Sequence, residues 1–311
     1  MIARPVRRAA ITVCIAALAA ACGGEAAKSS SGTAATPVSR AADTTAAQQA
    51  QQASCASAGF HAVQGGQLRM PANARPGQTP LLLVVIPGGD GDPTDRLGIG
   101  RAGTRQGVAL LYPTSADSGF WQLNKQFGTS DVTDVTGLIQ RQVATGCFDV
   151  NRVSITGVSN GAGFTARMGC ELPTTFAAVM PVAAGYKALD PCPANARASF
   201  LDIHGTADTV VPINGKQPDR KGNVARYTAT WAQRNGCNAT PRTTTPRALV
   251  TRYTYTGCDD GTRVMRVKLT GTDHGWPRRQ HTTRLPSQNP SHFDATTEVL
   301  RFVRTARRPG S

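Results

Sequence analysis

Apolar residues in this chain fall into short unbroken runs, separated by stretches of helical period. Residues 81–86 are continuously apolar, and residues 108–112 form a second such run. Runs of this length read as strands buried on both faces of a parallel sheet. Residues 176–184 and 199–203 predict two further strands, and 249–255 and 264–269 alternate as strands on the edge side of a sheet would. Between them the period changes. Val135, Leu138, Ile139 and Val143 recur at helical spacing over 134–144, and Phe164, Met168 and Leu172 do so until Pro173 stops them. A helix over 222–234 carries Val224, Tyr227, Thr228 and Trp231 on one face, with Gly236 just past its end. Val299, Leu300, Phe302 and Val303 belong to a last helix, N-capped by Asp294. Strands alternating with helices over about 250 residues predict one α/β domain with a doubly wound, mainly parallel sheet and helices on both faces.

One junction stands out. Val153-Ser154-Ile155-Thr156 is strand-like, Gly157-Val158-Ser159-Asn160-Gly161 is a tight turn, and a helix begins near Ala162. This is the sequence form of a nucleophile elbow. A serine at such a turn is strained, and the residues two before and two after it have almost no room for a Cβ. Chance Gly-x-Ser-x-Gly matches are common in a chain with 32 glycines, so the strand before and the helix after carry the reading.

A serine hydroxyl needs a general base, and the base needs an orienting carboxylate. In the elbow arrangement both follow the serine, acid first. His274, in a glycine-rich loop directly after the last predicted strand, is the candidate base. His281 and His292 sit in polar sequence and read as solvated, and His204, at the end of a buried strand, reads as a structural histidine satisfied by loop backbone. Asp208, just past that strand, is the preferred acid, with Asp202 and Asp273 as alternatives. The backbone N–H of Asn160 and an N–H from the loop after residues 81–86, at Gly89, are the expected oxyanion donors.

The N-terminus adds a compartment. Arg4, Arg7 and Arg8 precede an apolar stretch over 9–20, then Leu18-Ala19-Ala20-Ala21-Cys22. This reads as a bacterial lipoprotein signal peptide (1–22), with lipidation at Cys22 as the membrane anchor and a cell-surface or secreted location. Residues 23–53, rich in Ala, Ser, Thr and Gln without one aromatic, predict a flexible linker to a catalytic domain over 54–306. Six cysteines remain in the exported part, an even set that implies three disulfides. No Cys or His spacing points to a metal, and no cofactor is expected. The formal charge of +15 is mostly scattered arginine, Arg278-Arg279 with Arg284 and the tail Arg304, Arg307 and Arg308 excepted. With aromatics at 5 % and none interleaved with a basic stripe, nucleic acid is not an expected partner. The chain is expected to act as a monomer.

Gly-Val-Ser-Asn-Gly at 157–161, His-Gly-Thr-Ala-Asp-Thr-Val-Val-Pro at 204–212 and Asp-His-Gly-Trp-Pro at 273–277 together resemble the secreted α/β-hydrolase esterases that include feruloyl esterases and poly(3-hydroxybutyrate) depolymerases. The likeness runs from about residue 55 to 304. It implies an α/β-hydrolase fold and an ester substrate, with Ser159 as nucleophile, Asp208 as acid and His274 as base. It also implies bridges Cys55–Cys147, Cys170–Cys192 and Cys237–Cys258, and places Trp121 and Trp276 against the acyl cleft, where plain core packing is the competing expectation. One departure is visible: this chain has Pro87-Gly88 where the family usually has His-Gly. A glycan- or polymer-binding surface lipoprotein on a retired hydrolase scaffold is the alternative to an enzyme.

Overall fold

The computed structural model describes residues 55–72, 79–89, 97–116, 119–215, 222–279 and 288–311. The expected signal segment, Cys22 and the linker lie outside them, as do His281 and Arg284. Among the described residues ten strands form one sheet. Its centre is parallel: β4 (Ala109–Pro113), β3 (Leu82–Ile86), β5 (Val153–Val158), β6 (Ala178–Val182), β7 (Ser199–Gly205) and β10 (Val264–Leu269), side by side in that order. A hairpin of β1 (Gly59–Val63) and β2 (Gly66–Met70) adds antiparallel to β4, and β9 (Val250–Tyr255) with β8 (Arg242–Arg247) adds antiparallel to β10.

Strands β3 to β7 are buried along their whole length because both faces are covered, and β3 is apolar throughout. Leu82, Val84 and Ile86 point to one face and Leu81, Leu83 and Val85 to the other, each set in its own core. The first core takes Val135, Leu138 and Ile139 of α2 (Ser130–Ala144), Phe164 and Met168 of α3 (Asn160–Glu171), and Val224 and Trp231 of α4 (Val224–Arg234). The second takes Ile99 of α1 (Ile99–Arg105) and Val299, Leu300, Phe302 and Val303 of α5 (Ala295–Val303). Asp294 caps α5 by accepting from the Thr297 amide at 2.8 Å. The chain therefore has the doubly wound α/β arrangement its pattern predicts.

Differences from the pattern have local causes. β1, β2, α1 and β8 carry little periodic signal: β1 and β8 are largely exposed, and α1 is short and carries Gly100 and Gly103. Gly103 is small so that Leu110 and Leu300 can approach the helix. β10 and β9 lie toward one edge of the sheet, as expected, and the edge itself is the polar β8. α2 starts a turn earlier than predicted, at Ser130. Disulfides join Cys55 to Cys147, Cys170 to Cys192 and Cys237 to Cys258, closing segments of 92, 22 and 21 residues. The first ties the start of the described domain to the end of α2, and the other two tie the ends of α3 and α4 to neighbouring loops. No helix among the described residues is long and apolar enough to cross a membrane.

Candidate active site

Ser159 sits between β5 and α3 with φ 57° and ψ −123°, a left-handed conformation that costs a non-glycine residue on the order of 1–3 kcal/mol. Packing holds it there. A Cβ on Gly157 would meet the Gly161 carbonyl at 2.7 Å and the Ile86 carbonyl at 2.8 Å, and one on Gly161 would meet the Pro87 carbonyl at 1.9 Å. The two glycines thus let β3, β5 and α3 close around the turn, as the sequence reading expected. The Ser159 amide continues the ladder by donating to the Val182 carbonyl at 3.0 Å.

Three loops at the C-terminal ends of the parallel strands then converge. His274 Nε2 lies 2.8 Å from Ser159 Oγ, and His274 Nδ1 lies 2.8 Å from Asp208 Oδ2. The other carboxylate oxygen of Asp208 accepts from the Val211 amide at 2.7 Å. The loop after β7 and the loop after β10 touch because Gly205 has no Cβ, which would come within 2.1 Å of the Thr272 carbonyl. The Ala207 amide donates to that same carbonyl at 2.9 Å.

Of the three acids considered from sequence, the structure brings only Asp208 to His274. Asp273 accepts from the Gln288 amide at 2.8 Å, and its own amide donates to the Gln288 carbonyl. Asp202 stays within β7, where its Oδ2 accepts from the Tyr186 hydroxyl. Their environments push the two buried carboxyls apart. Burial by itself would raise Asp208, but hydrogen bonds from His204, His274 and the Val211 amide outweigh it and hold the carboxyl well below the usual range. Burial dominates at Asp202 and pushes it up to about 6, with His204, the Tyr186 hydroxyl and Arg266 pulling the other way.

The raised value at Asp202 has a consequence for stability. Folding raises its proton affinity, so its contribution is fully present below the ordinary carboxyl value and is lost as pH rises through about 6. Asp202→Asn, which keeps an acceptor for Tyr186, should therefore be more stable than the parent at pH 8 by up to about 3 kcal/mol and about equal to it at pH 4. Urea unfolding at both pH values measures this. A parent whose advantage over the variant grows with pH would contradict it.

A clasp without any sequence signal joins the loop after β3 to the elbow. The Asn160 side chain accepts from the Trp121 amide at 2.7 Å and donates to the Trp121 carbonyl at 3.2 Å. The Trp121 indole donates to the Pro87 carbonyl at 3.1 Å and stacks on Phe164. Trp121 is 3 % exposed, so the structure corrects its expected cleft role: it packs in the core and fastens the loop after β3 to the elbow. Trp276 is likewise buried, at 8 % exposure, with its indole donating to Thr296 Oγ1 at 3.0 Å. Packing is the better description of both.

The aromatic that does face solvent here is Phe120, 67 % exposed, whose ring sits where a Cβ on Gly89 would come within 2.7 Å of it. A Cβ on Gly88 would lie 3.7 Å from the Ser159 Cβ, so this glycine pair runs directly past the serine. Asn160 opens α3, and the first amides of a helix have no intrahelical acceptor. The departure at Pro87 falls where the fold uses the backbone carbonyl rather than the side chain.

Two buried charges shape the loop that carries Phe120 and Trp121. Asp131 accepts from the amides of Ala116 and Gln122. Arg167 on α3 donates to the carbonyls of Gln122, Asn124 and Gly128 and pairs with Glu171 at 2.7 Å. Neither residue has a motif around it. The only sequence signal at Arg167 is a charge on an otherwise mostly apolar helical stretch, and Asp131 has none.

No protein-family model matches the chain. It is 27 % identical over 155 residues to feruloyl esterase B of Piromyces equi, covering 46 % of this chain and 28 % of that protein. Over 211 residues it is 27 % identical to the bifunctional acetylxylan esterase/xylanase XynS20E of Neocallimastix patriciarum, covering 66 % of this chain and 30 % of that protein. The chain thus spans under a third of the length of these relatives. Among solved structures it superposes on an acetyl xylan esterase from Aspergillus awamori with TM-score 0.56 at 16 % identity, covering 78 % of this chain and 94 % of that one. A thermostable esterase gives TM-score 0.52 at 17 % identity, with coverage of 78 % and 59 %. The fold is the α/β-hydrolase fold, and the resemblance seen in the motifs extends to relatives named as feruloyl and acetylxylan esterases.

Proposed function

We propose that the chain is a serine carboxylic-ester hydrolase working through an acyl-enzyme. The observation that carries this reading is the continuous line from Ser159 Oγ through His274 to Asp208, with 2.8 Å at each step, on a strained elbow. In this reading His274 Nε2 takes the Ser159 proton as Oγ attacks the ester carbonyl. The developing oxyanion is received by the amides of Asn160 and Gly89. Collapse breaks the bond to the alcohol oxygen, which leaves with the proton held on His274. Water, deprotonated by the same imidazole, then attacks the acyl group and returns Ser159 with release of the carboxylic acid. Asp208 stays ionised and orients the ring.

For substrate we propose acetyl or feruloyl esters on plant cell-wall glycan, because the relatives are named for such esters and an exposed aromatic, Phe120, stands beside the donor loop. Hydroxyalkanoate oligomers are the second class, on the strength of the motif resemblance. Export through a signal at 1–22, a lipid anchor at Cys22 and a flexible tether over 23–53 complete the proposal, together with action as a monomer. Three disulfides fit an oxidising compartment.

The test is a substrate panel on the full chain with acetate, butyrate, ferulate and hydroxybutyrate esters, together with fluorophosphonate labelling. Turnover of acetate and ferulate esters with labelling at Ser159 is expected. Phe120→Ala should lower kcat/KM for ferulate roughly tenfold, about the worth of a lost aromatic contact, and leave acetate within about twofold. A glycan-binding protein without catalysis would leave the fluorophosphonate unreacted.

A further inference from the structure

Asp208 receives a second histidine. His204 Nε2 lies 3.2 Å from Asp208 Oδ2, the same oxygen that faces His274, and 2.8 Å from the Val211 carbonyl. The sequence reading anticipated the backbone half of this contact and missed the carboxylate half. Both side chains are wholly buried. Both neighbours of Nε2 are acceptors only, a carbonyl and a carboxylate held in its ionised form. Nε2 must therefore carry the proton, whether the ring is neutral or charged. His204 Nδ1 is buried and finds no partner among the described residues, so the ring is oriented entirely through Nε2.

We propose that His204 is a positioning residue of this site: its Nε2–H pins Asp208 Oδ2 and Val211 together, so that the carboxylate meets His274 Nδ1 in one fixed orientation. The geometry closes a ring of contacts. Val211 donates its amide to one oxygen of Asp208. His204 Nε2 in turn lies 2.8 Å from the Val211 carbonyl and 3.2 Å from Asp208 Oδ2. A carboxylate on an exposed loop would rotate about its own side-chain bonds. Here it is clamped on both oxygens by groups from β7 and from its own turn. Among the described residues no hydrogen bond or ion pair joins His204 to Ser159 or to residues 87–89, so its polar action falls on Asp208 and, through it, on the orientation of His274.

The inference rests on the esterase reading for its kinetic expression but is tested separately from it. His204→Gln carries an amide that reaches the position of Nε2, whereas the shorter amide of His204→Asn does not. The Asn variant should lose about tenfold or more in kcat on p-nitrophenyl acetate with KM within about threefold, as outer hydrogen-bond partners of a working histidine do. The Gln variant should recover most of that loss, and the rate of fluorophosphonate labelling at Ser159 should follow the same order. Equal behaviour of the two variants, or an Asn variant as fast as the parent, would overturn the inference. Nitrogen NMR on the unmodified full chain decides the matter if neither variant folds, or if the parent turns over no ester. A protonated, hydrogen-bonded Nε2 on His204 sustains the clamp. A bare Nε2 with the proton on Nδ1 refutes it.

Discussion

Ser159→Ala should lower ester turnover by about a million-fold in kcat, the scale seen when an acyl-enzyme nucleophile is removed, and leave the fold intact. The loss is this large because the proposed oxyanion donors and the histidine act only on an attacking Oγ. Without it they retain at most the weak assistance they give to water. Stability should hardly move, within about 1 kcal/mol, since alanine keeps the Cβ and the strained φ of 57° is imposed from outside the residue. Paired measurements of p-nitrophenyl acetate hydrolysis and of thermal unfolding check both halves. A variant that keeps a tenth of the parent rate would remove Ser159 as the nucleophile and with it the acyl-enzyme reading. One that loses several kcal/mol would show that the hydroxyl is structural, an outcome its single hydrogen bond among the described residues, to His274, speaks against.

Gly161→Ala should fail in the opposite way, by destroying the architecture. The added methyl would lie 1.9 Å from the Pro87 carbonyl oxygen and 2.7 Å from that of Ile86, and both are backbone atoms at the end of a central strand. Relief requires β3 to move away from the elbow. That breaks the parallel pairing of Ile86 with Gly157 and displaces the Pro87 carbonyl that the Trp121 indole holds. Expected is a destabilisation of at least about 4 kcal/mol or failure to accumulate as soluble protein. Gly88→Ala is the control. Its methyl would find only ordinary contacts at 3.6 and 3.7 Å, and urea unfolding should place it within about 1 kcal/mol of the parent. Similar behaviour of the two variants would show that the elbow is not packed as described.

The contrast between these variants also bears on Pro87. Its carbonyl accepts from the Trp121 indole and lies against Gly161, contacts of the backbone that any residue at this position can offer. What differs along the loop after β3 is the surface offered to an acyl group, and there Phe120 is the exposed side chain.

Much of this was legible in the chain itself. Strands buried on both faces tend to be continuously apolar, so β3 and β4 announce themselves, and helices lying on one face of a sheet must repeat every three or four residues, as α2, α3 and α4 do. The elbow was readable because close approach of backbone to backbone admits only glycine, which leaves a mark in the sequence at Gly157 and Gly161. Asp208 falls just past β7 and Asp202 within it, a difference the strand pattern already shows.

Contacts without a period left no such mark. The clasp of Trp121 on Pro87 and Asn160, the burial of Trp276, the arginine that organises a loop from inside α3 and the second histidine on Asp208 all join residues that are distant along the chain. Sequence alone determined the layers and the order of the reactive groups, because local pattern is set by which face a residue must bury. Only the tertiary structure decided which aromatics are buried and how many partners Asp208 has, because those depend on distances between loops that no local rule encodes.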